Sequence, residues 1–143
     1  MKKRVFISVL ALAAVGCKKE SAGSGDSQSA EESHGDVASV TPDELEALMA
    51  GNKAHCFDAN GPKTRKKYGM VPGAKPLSGS QYDMSELPKD KASKLVFYCS
   101  NESCGAAPSA AKKALAAGYT DVSTMPKGIM GWTKAGKKTV AVN

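Results

Sequence analysis

Lys94-Leu-Val-Phe-Tyr-Cys99-Ser-Asn-Glu-Ser-Cys104-Gly-Ala-Ala-Pro108-Ser-Ala-Ala-Lys-Lys-Ala-Leu-Ala-Ala117 is the stretch on which the fold turns. Leu95 to Tyr98 is a short apolar, β-rich run and reads as a buried strand. Ala106 to Ala117 is rich in Ala, Leu and Lys, with Pro108 in a first turn that tolerates it, and reads as a helix. Between them lie Cys99 and a loop ending in Cys104-Gly105. A cysteine at the end of a strand, facing a helix N-terminus, meets unpaired backbone N–H groups and the positive end of a dipole. Both favour the thiolate, which makes a nucleophile. Two cysteines separated by four residues in an exported protein equally fit a loop disulfide. Both readings stand on these residues.

Upstream, Met1-Lys-Lys-Arg4 is a basic start, and Val5 to Val15 is an apolar run of eleven residues. That is too short to span a bilayer and right for a signal peptide over residues 1–16. The run ends Ala14-Val15-Gly16-Cys17, which resembles a bacterial lipobox. The resemblance implies that Cys17 carries lipid, becomes the mature N-terminus and anchors the chain to a membrane on its periplasmic side. Lys18 follows where an inner-membrane lipoprotein would carry Asp, so the outer membrane is the expected destination.

From Lys18 to Ala38 the chain is Ser, Gly, Glu, Ala and Asp with no aromatic residue, too polar to bury a core. Residues 17–38 are therefore expected to be the lipidated cysteine and a flexible tether with an average reach of roughly 25 Å. His34 within it reads as a spacer. Residues 39–143 are enough for one domain with a modest core. Signal and tether hold five basic and five acidic residues, so the net +6 of the chain (20 minus 14) belongs to the domain (15 minus 9). Lysines supply nearly all of it. With Arg65 the only arginine in the domain and few aromatics, no nucleic-acid platform is present in the sequence. A cationic domain beside an anionic membrane, or one attracting small anions, fits better. A monomer is expected.

Thr41-Pro42-Asp43-Glu44 opens a helix: Thr41 caps, Pro42 takes the first position and Glu44 closes a capping box. Leu45, Leu48 and Met49 give it an apolar stripe, and Gly51 ends it. A short strand follows over Ala54 to Ala59, ending at Asp58. Gly61-Pro62 then turns the chain into a basic patch, Lys63-Thr-Arg-Lys-Lys67, which reads as a solvated face. Another short strand comes after Ala74, a short helix over Met84 to Leu87, a strand over Asp121 to Thr124 and a last helix over Gly128 to Ala135. Thr139 to Val142 is a candidate edge strand. Strands alternating with helices at this spacing predict an α/β fold, a parallel sheet with helices on both faces.

Four segments, in order, resemble the rhodanese domain. They are Phe57-Asp58; Tyr68-Gly-Met-Val-Pro-Gly-Ala74; Val96-Phe-Tyr-Cys99; and Gly118-Tyr119 through Val122 to Gly128-Ile-Met-Gly-Trp132 and Ala135-Gly136. The resemblance covers nearly all of residues 39–138 and implies a rhodanese-like α/β domain with sulfurtransferase activity. Cys99 would then take sulfane sulfur from a small donor, hold it as a persulfide and pass it to a thiol acceptor. The backbone N–H groups of Ser100, Asn101, Glu102, Ser103 and Gly105 would cradle the charged sulfur. The chemistry implied needs no metal and no organic cofactor. Asp58 is implied as a structural hydrogen-bond partner and Trp132 as a core anchor.

The chain departs from the family pattern at the loop. Its fifth residue after Cys99 is Cys104 where the family carries a basic residue, and no Arg or Lys occurs from Cys99 to Ala111. The Ala110-Ala111 pair comes about two residues late. Asn60 replaces an Arg, and Met70 replaces a His. Thiosulfate, an anion, is therefore a poor expected donor unless Lys112, Lys113 or the Lys63–Lys67 patch supplies the missing charge. Cys104 reads as a resolving thiol or a disulfide partner. Two alternatives accompany the sulfur-carrier reading: a non-catalytic binding module locked by a Cys99–Cys104 disulfide, and a thiol–disulfide redox element. Cys56, inside a strand, reads as buried and inert, and Met70, Met84, Met125 and Met130 read as packing residues.

Overall fold

The computed structural model describes residues 37–143; the segment read as signal peptide, the lipidation residue Cys17 and nearly all of the tether lie outside the described residues. The chain forms β1 (Ala38–Ser39), α1 (Pro42–Ala50), β2 (His55–Asp58), α2 (Pro62–Tyr68) and β3 (Lys75–Pro76). A 3-10 turn (Met84–Glu86) leads to β4 (Lys94–Tyr98), α3 (Ala106–Ala116), β5 (Asp121–Met125) and α4 (Gly128–Lys134). The five strands make one sheet in the order β1-β5-β4-β2-β3, and every pairing is parallel.

Alternation along the central strand divides the interior in two. Leu95 and Phe97 point into one core with Phe57, Tyr82 and the alanine face of α3, namely Ala107, Ala110, Ala111 and Ala114. Val96 and Tyr98 point into the other, with Leu45 of α1 and Ile129 and Trp132 of α4. The sheet therefore has helices on both faces, as its sequence predicts. Because successive residues of a strand face opposite sides, Cys99 follows Leu95 and Phe97 onto the α3 side. Small residues along α3 let that helix lie close to the strand end that carries Cys99.

Local signals behave as read. Thr41 and Glu44 form the reciprocal capping box on α1, with Thr41 N–H donating to Glu44 Oε2 at 2.7 Å and Glu44 N–H to Thr41 Oγ1 at 3.2 Å. Three features differ. The segment from Thr139 onward adds no strand to the sheet; Val140 makes a single antiparallel bridge with Met70, and the edge beside β5 is taken by β1. The basic patch is a helix, α2, and its Arg65 is buried rather than solvated. Met130 is 41 % exposed and does not pack into the core. Among the described residues, no helix is long and apolar enough to cross a membrane.

Candidate active site

Cys99 follows directly on the last residue of β4, and a buried polar network holds that strand end. Tyr98 Oη donates to Asp58 Oδ2 at 2.9 Å and accepts from the Val71 N–H at 3.1 Å. Asp58 Oδ1 accepts from the Asn60 N–H at 2.7 Å. Arg65 reaches in from α2, its Nη2 donating to the carbonyls of Asp58 at 2.8 Å and Leu77 at 2.7 Å. Its Nε stands 3.7 Å from Asp58 Oδ1, close enough for an ion pair and too far for a hydrogen bond. The carboxylate of Asp58 is fully buried and is compensated by one cation and two donors, the arrangement that a buried charge requires. Burial, and secondarily the Asp58 charge, push the Tyr98 hydroxyl far above its ordinary range, so it stays a donor. The same two causes, in the same order, hold the Cys56 thiol neutral and unreactive.

The loop after β4 is anchored from below by the start of α4. The Ile129 N–H donates to the Cys99 carbonyl at 2.9 Å and the Met130 N–H to the Ser100 carbonyl at 3.0 Å. Gly128 permits this approach: its φ is +60°, and a Cβ there would come within 2.6 Å of Cys99 and Ser100 backbone atoms. Above that floor, Asn101 folds the loop on itself. The Ser103 N–H donates to Asn101 Oδ1 at 3.0 Å, and the Cys104 N–H to the Asn101 carbonyl at 3.1 Å. Cys99 and Cys104 are joined in a disulfide with Cα atoms 6.2 Å apart, within the ordinary range for such a bond. The cleft beside the bridge, lined by both cysteines, Glu102, Pro108 and Pro126 among others, holds only about 10 Å³, the space of about one water.

Of the residues expected to cradle a sulfur, Ser103 thus has its N–H committed to Asn101. Ser100 Oγ lies 3.9 Å from Cys99 Sγ. Asn101, Glu102 and Ser103 are exposed on the loop, and Gly105 immediately precedes α3, whose N-terminus has no side-chain cap. Asp58 belongs to the network under the loop. Trp132 lies on the other face of the sheet, 3 % exposed, with its indole N–H donated to the Lys138 carbonyl at 2.8 Å. Two of the cations weighed as substitutes for the missing loop cation, Lys113 and Arg65, are committed elsewhere. Lys113 Nζ donates to the Tyr82 carbonyl at 2.5 Å and Arg65 is paired with Asp58. Lys127 and Lys134 of the α4 region instead share an open groove of about 540 Å³ with Asn101 and Glu102.

Sequence reasoning missed Arg65, Gly128 and the Tyr98 hydroxyl as supports of the site. Gly128 was within reach, since it stands at a strand-to-helix junction where only glycine allows a close approach. Arg65 was hidden among lysines. A larger groove of about 900 Å³ lies near the N-terminal end of β2, lined by His55, Trp132 and Lys138 among others, with neither Cys99 nor Cys104 in its wall.

Comparison with known proteins agrees with this architecture. The chain resembles the BH2092 protein of Bacillus halodurans at a TM-score of 0.62 and 19 % identity, over 71 % of this chain and 74 % of that one. It resembles a thiosulfate sulfurtransferase of Pseudomonas aeruginosa at a TM-score of 0.61 and 23 % identity, over 71 % of this chain and 20 % of that one. The human single-domain sulfurtransferase TSTD1 gives a TM-score of 0.56 and 21 % identity, over 68 % and 96 %. At these identities the likeness is one of fold. No curated protein matches the sequence. The profile of the Rhodanese-like domain matches residues 41–135, from the cap of α1 to the end of α4, and the chain belongs to the rhodanese-like domain family.

Proposed function

We propose that this domain is a sulfurtransferase whose reduced form carries sulfane sulfur as a persulfide on Cys99. The observation that carries the reading is the position of Cys99: directly after the last residue of β4, at the head of the loop that leads into the uncapped N-terminus of α3. The Cys99–Cys104 disulfide is then the oxidised, resting state, and a thiol reductant must open it before any donor is met. The Cys99 thiolate attacks the outer sulfur of a donor R–S–SH, a new S–S bond forms, and the thiolate RS⁻ leaves. A thiol acceptor later attacks the outer sulfur of the persulfide and returns Cys99 as thiolate. No metal or organic cofactor enters either step. With no cation between Cys99 and Ala111 and with Glu102 in the loop, a thiol-borne persulfide, whose sulfane group carries less charge than the thiosulfate dianion, suits the site better than thiosulfate. The test is the mass of the reduced full-length Cys104→Ser chain after exposure to a persulfide donor. A gain of one sulfur mapped to Cys99, absent when Cys99 is also replaced by Ser, is expected; no gain on any cysteine of that variant would sink the reading.

The disulfide and the near absence of space beside it favour a second reading, a thiol–disulfide redox element on the same fold. Reversible cycling of the pair against a redox buffer, with no sulfur gain from any donor, would select it. A pair that resists reduction, and stays inert once reduced, would select a binding module. For placement in the cell, the lipobox-like Ala14 to Cys17 supports a periplasm-facing lipoprotein on a short tether, and Lys18 favours the outer membrane. Cys17→Ser should release the chain from the membrane fraction; unchanged attachment and maturation would refute the anchor.

A further inference from the structure

Cys104 occupies the loop position where the family resemblance leads one to expect a cation, and it is bonded to the sulfur that the proposed chemistry would use. The two Cα atoms are 6.2 Å apart, so the two sulfurs meet across the folded loop. Asn101 holds that fold by accepting from the Ser103 and Cys104 N–H groups, and α4 fixes the Cys99 and Ser100 carbonyls. Any sulfur placed on Cys99 therefore has a second thiol poised beside it.

We infer that the reduced site releases sulfane sulfur as sulfide: Cys104 attacks the Cys99 persulfide, and the Cys99–Cys104 disulfide is the product of that turnover. This rests on the sulfur-carrier reading above. The Cys104 thiolate attacks Sγ of Cys99, the inner sulfur; the Cys99–Cys104 bond forms, the bond to the outer sulfur breaks, and HS⁻ leaves with the bond's electron pair. The two thiols together lose two electrons and the sulfane sulfur gains two. An external dithiol then reduces the bridge and restores both thiols. Electrostatics push the same way. A persulfide is anionic, the loop offers it no basic side chain, and Glu102 lines the same cleft as both cysteines. Cys104 is already within bonding reach of Cys99, a proximity that no diffusing acceptor shares. The activity assigned is sulfane-sulfur reduction, with a low-molecular-weight persulfide as oxidant and a dithiol as reductant.

The test uses the full chain, reduced, freed of reductant and mixed with glutathione persulfide, with sulfide and intact mass followed together. Wild type should release one equivalent of sulfide per chain, end as the disulfide, and release more only when a dithiol is supplied. Cys104→Ser and Cys104→Ala should hold one added sulfur on Cys99 and release no burst; Cys99→Ser should do neither. A wild-type chain that keeps the persulfide with Cys104 free overturns the inference and leaves the carrier reading intact. A Cys104 variant that gains glutathione in place of sulfur overturns it too, since Cys99 would then have attacked the donor's inner sulfur. A burst undiminished in both Cys104 variants also overturns it. If neither Cys104 variant gains any mass and wild type releases no sulfide, the carrier reading itself fails.

Discussion

Gly128→Ala tests how the loop after β4 is held. Two costs add at this position. An L-residue at φ +60° is strained by about 1–2 kcal/mol. The new Cβ would also lie 2.6 Å from the Cys99 oxygen and from the Ser100 carbonyl group, so floor and loop must part. That separation breaks the bonds from the Ile129 and Met130 N–H groups, at about 0.5–1.5 kcal/mol each. The sum is about 2–5 kcal/mol, a large share of the stability of a domain this size. Gly136 supplies the control, because its φ is +77° and a Cβ there meets nothing within 4 Å. Gly136→Ala should lose only the strain, about 1–2 kcal/mol. Urea unfolding of the full chain in both variants measures the difference. The Cys99–Cys104 bridge should also be reduced faster in Gly128→Ala than in wild type. Equal destabilisation by the two substitutions, with unchanged reduction kinetics, would refute the idea that α4 holds the loop.

Arg65→Ala should cost about 3–5 kcal/mol, because it leaves Asp58 buried without its cation and strands the carbonyls of Asp58 and Leu77. Arg65→Lys should recover little of this, since one ammonium does not reproduce the guanidinium's geometry; thermal melts of both decide. Trp132→Ala should cost about 3–5 kcal/mol by emptying the core between α4 and the sheet, and a melt within a degree or two of wild type would show otherwise. Alkaline pH should destabilise the domain. Burial chiefly, with the neighbouring Tyr119 and Glu86, raises the Tyr82 hydroxyl from 10.0 to about 12. The folded state therefore keeps a proton that the unfolded chain gives up, so the Tyr82 contribution is complete below about pH 10 and is lost as pH rises toward 12. Cys56 and Tyr98 act in the same direction. Urea midpoints should fall as pH rises through this window, and a flat profile would contradict the burial assigned to these groups.

Much of this architecture was legible because its signals are local. The capping box on α1 needs only Thr41 and Glu44, three residues apart. The strand–loop–helix around Cys99 announces itself by a change from β-rich to alanine-rich composition. What escaped depends on tertiary partners. Ala38-Ser39 has no β signature, and it becomes a strand because β5 leaves an open edge to which Val40 adds a further bond, N–H to the Thr124 carbonyl at 2.8 Å. Val140 looked like part of a strand and makes one bridge, because its neighbour in space is the Met70 segment rather than a sheet edge. Arg65 sits in a run of lysines that reads as surface. Its burial depends on carbonyls seven residues back and twelve residues ahead, and nothing in the run itself announces them.

At the loop, the residue types were readable and their allegiance was not. From sequence, a sulfur on Cys99 had several possible neighbours: loop N–H groups, Lys112 or Lys113, the α2 patch, and Cys104. In the folded domain the Ser103 N–H turns to Asn101, Lys113 to Tyr82 and Arg65 to Asp58, while Cys104 turns to Cys99 itself. A basic residue at that position would stabilise an anionic sulfur and prolong its stay. A thiol there does the opposite, because it can form a bond to Cys99 and expel what Cys99 carries. Under the proposed chemistry, the exchange of a cation for a cysteine is an exchange of storage for discharge, and it requires that something reduce the bridge after each turn. Lys127, in the open groove beside Asn101 and Glu102, is the side chain on which to test this trade-off. If discharge is governed by Cys104, Lys127→Ala should leave the sulfide burst within about twofold of wild type; a tenfold change, about 1.4 kcal/mol, would mean that groove charge sets the lifetime instead.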